Sequence, residues 1–133
     1  MRFLDSNVFI YHLLNDPRNG KRAKEILESV EGGQEAAVPL IAIAQICSYL
    51  KWRKLSGTIP IFLKLLQSLP ALNKEETIFS DYISAFSLQE KLRLPWAMWD
   101  DLVIASQMQR LGIHEIYSFD KDFDKISIVK RVH

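Results

Sequence analysis

The chain of 133 residues has a single cysteine, Cys47, so no internal disulfide can form and no cysteine-ligated zinc site is available. Glycine and proline are scarce, five of each, which excludes collagen-like and linker-like composition. Neither sign of charge dominates: 17 Lys and Arg face 16 Asp and Glu, leaving a formal net charge of +1. That balance excludes a basic nucleic-acid-binding arm and an acidic tail, though not a local patch of either sign. No apolar run approaches the roughly eighteen residues of a membrane span. The opening Met1-Arg2-Phe3-Leu4-Asp5 lacks the apolar core and cleavage site of a signal peptide. There is no glycine-rich phosphate loop and no nucleophile elbow, which removes nucleoside-triphosphate and serine-hydrolase chemistry. The expectation is one cytoplasmic globular domain, from a chain that is 48% hydrophobic and 25% charged.

What is present alternates in period. Arg2-Phe3-Leu4 reads as a buried strand, with Asp5-Ser6-Asn7 capping a helix that continues to Leu13. Residues 15–20 form a loop, and Ala23, Ile26, Leu27 and Val30 mark an amphipathic helix stopped by Gly32-Gly33. A strand is expected over 35–38, after which Pro39 opens a helix over 40–53. That helix is nearly all apolar through Leu50 and is expected to be buried centrally. Ile59, Phe62, Leu63 and Leu66 give another helical stripe, and Phe79, Tyr82, Ile83 and Phe86 a third. Asp100-Asp101 begin a helix to Leu111 with Gly112 at its C-cap. Strands over 115–118 and 127–129 flank a single turn over 121–125. Strands alternating with helices predict an α/β domain of three layers, α/β/α, around a central, mainly parallel sheet.

On this map the acids converge. Asp5 ends the first strand, Asp100 and Asp101 start a helix, and Asp120 and Asp122 follow the strand ending at Ser118. In open parallel sheets the ligand crevice lies outside the carboxyl ends of the strands. Gathered like charges raise one another's pKa unless something compensates them. A hard divalent cation with oxygen ligands, Mg²⁺ or Mn²⁺, is the natural compensation, and it suits phosphodiester hydrolysis. Each acid also has an ordinary structural use: Asp5, Asp100 and Asp101 as helix caps, Asp120 and Asp122 in a turn.

Three motifs carry a resemblance. Phe3-Leu4-Asp5-Ser6-Asn7-Val8 resembles the opening of PIN-domain nucleases, Asp101-Leu102-Val103-Ile104-Ala105 their later helix start, and Tyr117-Ser118-Phe119-Asp120-Lys121-Asp122-Phe123 their closing signature. They occur in the family's order and span residues 3 to 123. The resemblance implies a Mg²⁺- or Mn²⁺-dependent endoribonuclease, similar to VapC-type toxins that are held inactive by an antitoxin protein and that often form homodimers. It places Asp5, Asp101 and Asp120 on metal-binding and catalytic positions with Asp122 close by, and gives Asn7 and Ser118 supporting roles. Asp100 is an extra acid beside the matched one.

One departure stands out: where the family usually has glutamate in the helix after the second strand, this chain has Gln45. Glutamine keeps a carbonyl oxygen but removes a negative charge, which weakens cation binding. The alternative is therefore a degenerate PIN module that binds RNA or a protein without cleaving. An aspartate-nucleophile phosphatase needs a second Asp two positions after the first, where this chain has Asn7. Lys51, Arg53 and Lys54 form the densest basic cluster, suited to RNA phosphates or simply to a helix C-terminus, and Lys121 lies between two acids. Trp52, Trp96 and Trp99 can stack bases or belong to the core, and His12 and His114 lack partners at metal-ligand spacing. The near-zero net charge is itself composite. Residues 100–124 hold six acids and two bases, leaving fifteen bases and ten acids elsewhere.

Overall fold

Strand β1 (Arg2–Leu4) divides its side chains between two cores, with Phe3 facing one and Leu4 the other, both fully buried. That alternation sets the layers in the computed structural model, which describes residues 1–133. On the Leu4 side lie α1 (Ser6–Leu13), α2 (Gly20–Glu31), α3 (Leu40–Trp52) and α4 (Thr58–Gln67). On the Phe3 side lie α5 (Phe79–Leu92) and α6 (Trp99–Leu111), preceded by a 3-10 turn at Trp96–Met98. The sheet is completed by β2 (Ala36–Pro39), β3 (Leu72–Glu75), β4 (Glu115–Tyr117) and β5 (Lys130–Val132), in the order β3-β2-β1-β4-β5. Every neighbouring pair is parallel. The chain leaves β1 in one direction for β2 and β3 and in the other for β4 and β5. The carboxyl ends of β1 and β4 therefore border the switch point where such sheets open a crevice.

The α/β/α expectation holds, and so do the positions of most elements. Gly112 terminates α6 in the left-handed region at φ 71°, as its place after the last apolar residue predicts. Four details differ. Strand β3 was not anticipated, and β5 lies at Lys130–Val132 instead of 127–129, where the chain turns. Both are edge strands, and the exposed Asn73, Lys74 and Lys130 that keep an edge from pairing further also hide the alternation of a strand. Helix α3 is not central: only Ala42, Ile46 and Leu50 are buried, and Leu40 is exposed. Helix α5 packs on α6 through Asp81, Ala85 and Leu88, so Phe79, Ile83 and Phe86 of its apolar stripe face outward.

Candidate active site

Asp5 leaves β1 in extended backbone and caps α1, its side chain accepting the Ser6 N–H at 2.8 Å. A short acceptor at this position satisfies one of the unpaired N–H groups of the first turn. Its other carboxylate oxygen accepts the Ser118 hydroxyl at 2.6 Å, from the residue that follows β4. Ser118 Oγ in turn accepts the Asp120 N–H at 3.0 Å and the Asn7 amide at 3.4 Å, and Asn7 Oδ1 accepts the Phe119 N–H at 3.4 Å. One buried hydroxyl thus joins the ends of two adjacent strands and fixes the direction in which the chain leaves β4. Burial raises the Asp5 carboxyl above its usual range; the bonds from Ser118 and Ser6 oppose this, and the charge of Asp120 adds to it.

Asp120 caps the 3-10 segment Lys121–Lys125, accepting the Asp122 N–H at 2.9 Å. Asp101 lies in the first turn of α6, reaching the same place from the opposite layer. Asp101, Asp120 and Asp122 each offer a carboxylate oxygen, and these oxygens lie within 4.8 Å of one another. Asp101 is pushed up to about 7, first by burial and then by the charges of Asp5, Asp120, Asp122 and Asp100. The trio is an all-oxygen set of hard donors whose mutual repulsion a divalent cation relieves, which fits Mg²⁺ or Mn²⁺. Asp5 is not in the trio. Its oxygens are committed to Ser6 and Ser118, and it meets the cluster through its charge on Asp101 and Asp120.

Asp100 does not cap α6, whose N-cap is Met98; it accepts the Gln45 amide N–H at 3.1 Å. That contact ties α3 to the start of α6 with a neutral donor where a glutamate would bring like charges together. Lys51, Arg53 and Lys54 are exposed at the far end of α3, and Lys121 is exposed beside the acids. Lys125, not anticipated, pairs with Asp122 at 3.3 Å. Tyr11 was also missed. Its ring packs on Phe119 at 5.4 Å, and burial together with the charges of Asp16, Asp120, Tyr49 and Asp5 raises its hydroxyl pKa. Its position four residues after Asn7, on the same face of α1, is the signal that could have found it.

The PIN domain family model matches residues 2–129. No curated protein sequence matches the chain at a significant level. Among solved structures the chain is similar to VapBC2 from Rickettsia felis, bound to a DNA fragment from their promoter. That match has a TM-score of 0.75 and 17% identity over 98% of this chain and 96% of that one. It is also similar to Mycobacterium tuberculosis VapC20, a sarcin–ricin loop cleaving toxin, with a TM-score of 0.77 and 14% identity over 93% of each chain. A toxin–antitoxin complex from Klebsiella pneumoniae matches with a TM-score of 0.65 and 18% identity, covering 98% of this chain and 96% of that one. Identities this low establish a common fold.

Proposed function

The chain belongs to the PIN domain family, and from that membership we propose that it is a divalent-metal-dependent endoribonuclease, the toxin of a toxin–antitoxin pair. The observation that carries this reading is the approach of Asp101, Asp120 and Asp122 at the switch point of the sheet. These three would hold Mg²⁺ or Mn²⁺. When bound, such an ion supplies Lewis acidity and charge neutralisation for in-line hydrolysis of a phosphodiester. Asp5 adds negative charge behind the trio and, through Ser118, sets the backbone that presents Asp120. Asn7 holds that same loop from α1.

The reading is tested by incubating RNA with the chain in Mg²⁺ or Mn²⁺. Internal cleavage that disappears on chelation, in Asp120→Asn and in Asp5→Asn supports it. Cleavage that survives both chelation and Asp5→Asn overturns it. A second reading, the non-cleaving module, is favoured by Gln45, whose amide donates to Asp100. A wild type that is inert while Gln45→Glu cleaves favours the module. The antitoxin partner is proposed from the solved relatives that are toxin–antitoxin assemblies. A short reading frame just upstream that encodes a DNA-binding domain, and whose product restores growth on co-expression, tests it. The exposed apolar face of α5 is the surface proposed for a homodimer. No helix is long and apolar enough to cross a membrane, and the cytoplasm, where the RNA lies, is the proposed location.

A further inference from the structure

Gln45, Tyr49, Trp52 and Arg53 stand along α3 and its C-cap at i, i+4, i+7 and i+8, a spacing that sets them on one flank of a helix. The strip starts at the acids, because Gln45 bonds to Asp100 next to Asp101. Further along, the Tyr49 and Trp52 rings lie 6.2 Å apart, and Trp52 is 76% exposed. Arg53 donates to the Tyr49 hydroxyl at 2.7 Å and holds its guanidinium 5.7 Å from the centre of that ring. Lys51 and Lys54 flank the pair. None of these three cations takes part in the ion pairs of the protein. Tyr11 packs on Phe119 in a tilted arrangement at 5.4 Å, which adds a second aromatic pair beside the loop that carries Asp120.

We propose that this strip is a subsite for single-stranded RNA, in which an unpaired base stacks on Trp52 while Arg53, Lys51 and Lys54 hold the phosphates of nucleotides adjoining the cleaved bond. Its place beside a cleaved bond rests on the nuclease reading. An exposed indole backed by a second ring offers the face an unstacked base needs, and a duplex hides that face. Three exposed cations without ion-pair partners, adjoining Trp52 in the sequence, suit a polyanion, whereas an apolar peptide would leave them unanswered. The tyrosine–arginine contact holds the guanidinium in place, where its planar donors suit a phosphate.

The test is fluorescence anisotropy of a labelled short single-stranded oligoribonucleotide of mixed sequence, and of its duplex. Ca²⁺ replaces Mg²⁺, and the probe is checked afterwards for intactness. Trp52→Ala is expected to weaken single-strand binding about tenfold, with partial rescue in Trp52→Phe. Arg53→Ala is expected to weaken binding and lower the slope of affinity against log salt by about 0.7. Lys91→Ala, on the opposite layer, binds as wild type does. Trp52 is exposed, so its substitution should leave Tm unchanged, and a fall in Tm is answered by the Arg53 variant. The subsite is overturned if the Trp52 and Arg53 variants bind like wild type, or if the duplex binds as tightly as the single strand. It is likewise overturned if Trp52→Ala loses a protein partner but not RNA. If the variants lose binding while no form of the chain cleaves RNA, the subsite stands and the nuclease reading falls. If wild type cleaves and both variants bind and cleave as it does, the reverse holds.

Discussion

Among single residues, Asp101 has the most to reveal, because its carboxyl titrates near 7 in the folded chain and near 4 in the unfolded one. A pKa raised by folding means that the folded state binds the proton more tightly. Stability from this group is therefore fully present below about pH 4 and is lost as pH rises to about 7. The loss is on the order of 2–4 kcal/mol. Metal-free wild type should lose Tm between pH 5 and pH 8, and Asp101→Asn should lose less; Mg²⁺ should restore wild type at pH 8 but not the variant. Parallel Tm profiles for the two chains would contradict this. Ser118 is the second informative residue, since its hydroxyl serves Asp5, Asn7 and Asp120 together. Ser118→Ala should cost about 1–3 kcal/mol in urea unfolding and lower cleavage by roughly 10–100-fold. Unchanged cleavage would mean that Asp120 is held by other means. The motif around Ser118 was legible in the sequence, but its sharing among three partners was not, because Asp5 and Asn7 reach it only when β1 and β4 pair.

Helices were easier to locate than to orient. In α5 the sequence marks a helix through Phe79, Tyr82, Ile83 and Phe86, yet the buried face carries Asp81 and Ala85. Asp81 fits there because Arg110 of α6 donates to both of its oxygens, at 2.8 and 3.0 Å. Burial alone would raise the Asp81 carboxyl, but the Arg110 bonds, the Ile78 N–H and the Arg110 charge together hold it below the usual range. Periodicity cannot reveal a carboxylate made buriable by a guanidinium 29 residues away. Asp81→Ala should destabilise the fold by about 2 kcal/mol, less than a fully buried pair because Arg110 keeps about a third of its side chain exposed. With this carboxyl depressed, its contribution is present above about pH 4 and lost as pH falls through the folded value. Wild type and Asp81→Ala should therefore converge in stability toward pH 2 in denaturant titrations. A constant gap would assign the effect to packing. Edge strands β3 and β5 were missed or displaced for the reason that keeps them from pairing further: Asn73, Lys74 and Lys130 face water.

For the whole molecule, the outward stripe of α5 is the surface to explain. Phe79 is 77% exposed, and Ile83 and Phe86 continue it at i+4 and i+7. An apolar face of this kind on a folded domain favours covering by another chain. Self-association through α5 predicts a dimer by light scattering coupled to size exclusion, converted to monomer by Phe79→Glu with Phe86→Glu. A monomeric wild type, or a double variant that remains dimeric, would remove α5 as that interface. Because the stripe lies on the layer away from α3, the double variant should keep wild-type affinity for single-stranded RNA.

The sequence alone determined the alternation of strands and helices, the three acid-bearing motifs and the replacement at Gln45, because these are properties of composition, period and spacing. Tertiary structure decided which carboxylates meet. Asp101, Asp120 and Asp122 form the close trio while Asp5 is turned to Ser6 and Ser118. It also decided that Gln45 addresses Asp100, and that the basic end of α3 is an aromatic strip with its arginine locked to Tyr49. These outcomes depend on the order of strands in the sheet and on which face each helix turns inward. Both follow from contacts between residues far apart in the chain, which local patterning does not encode.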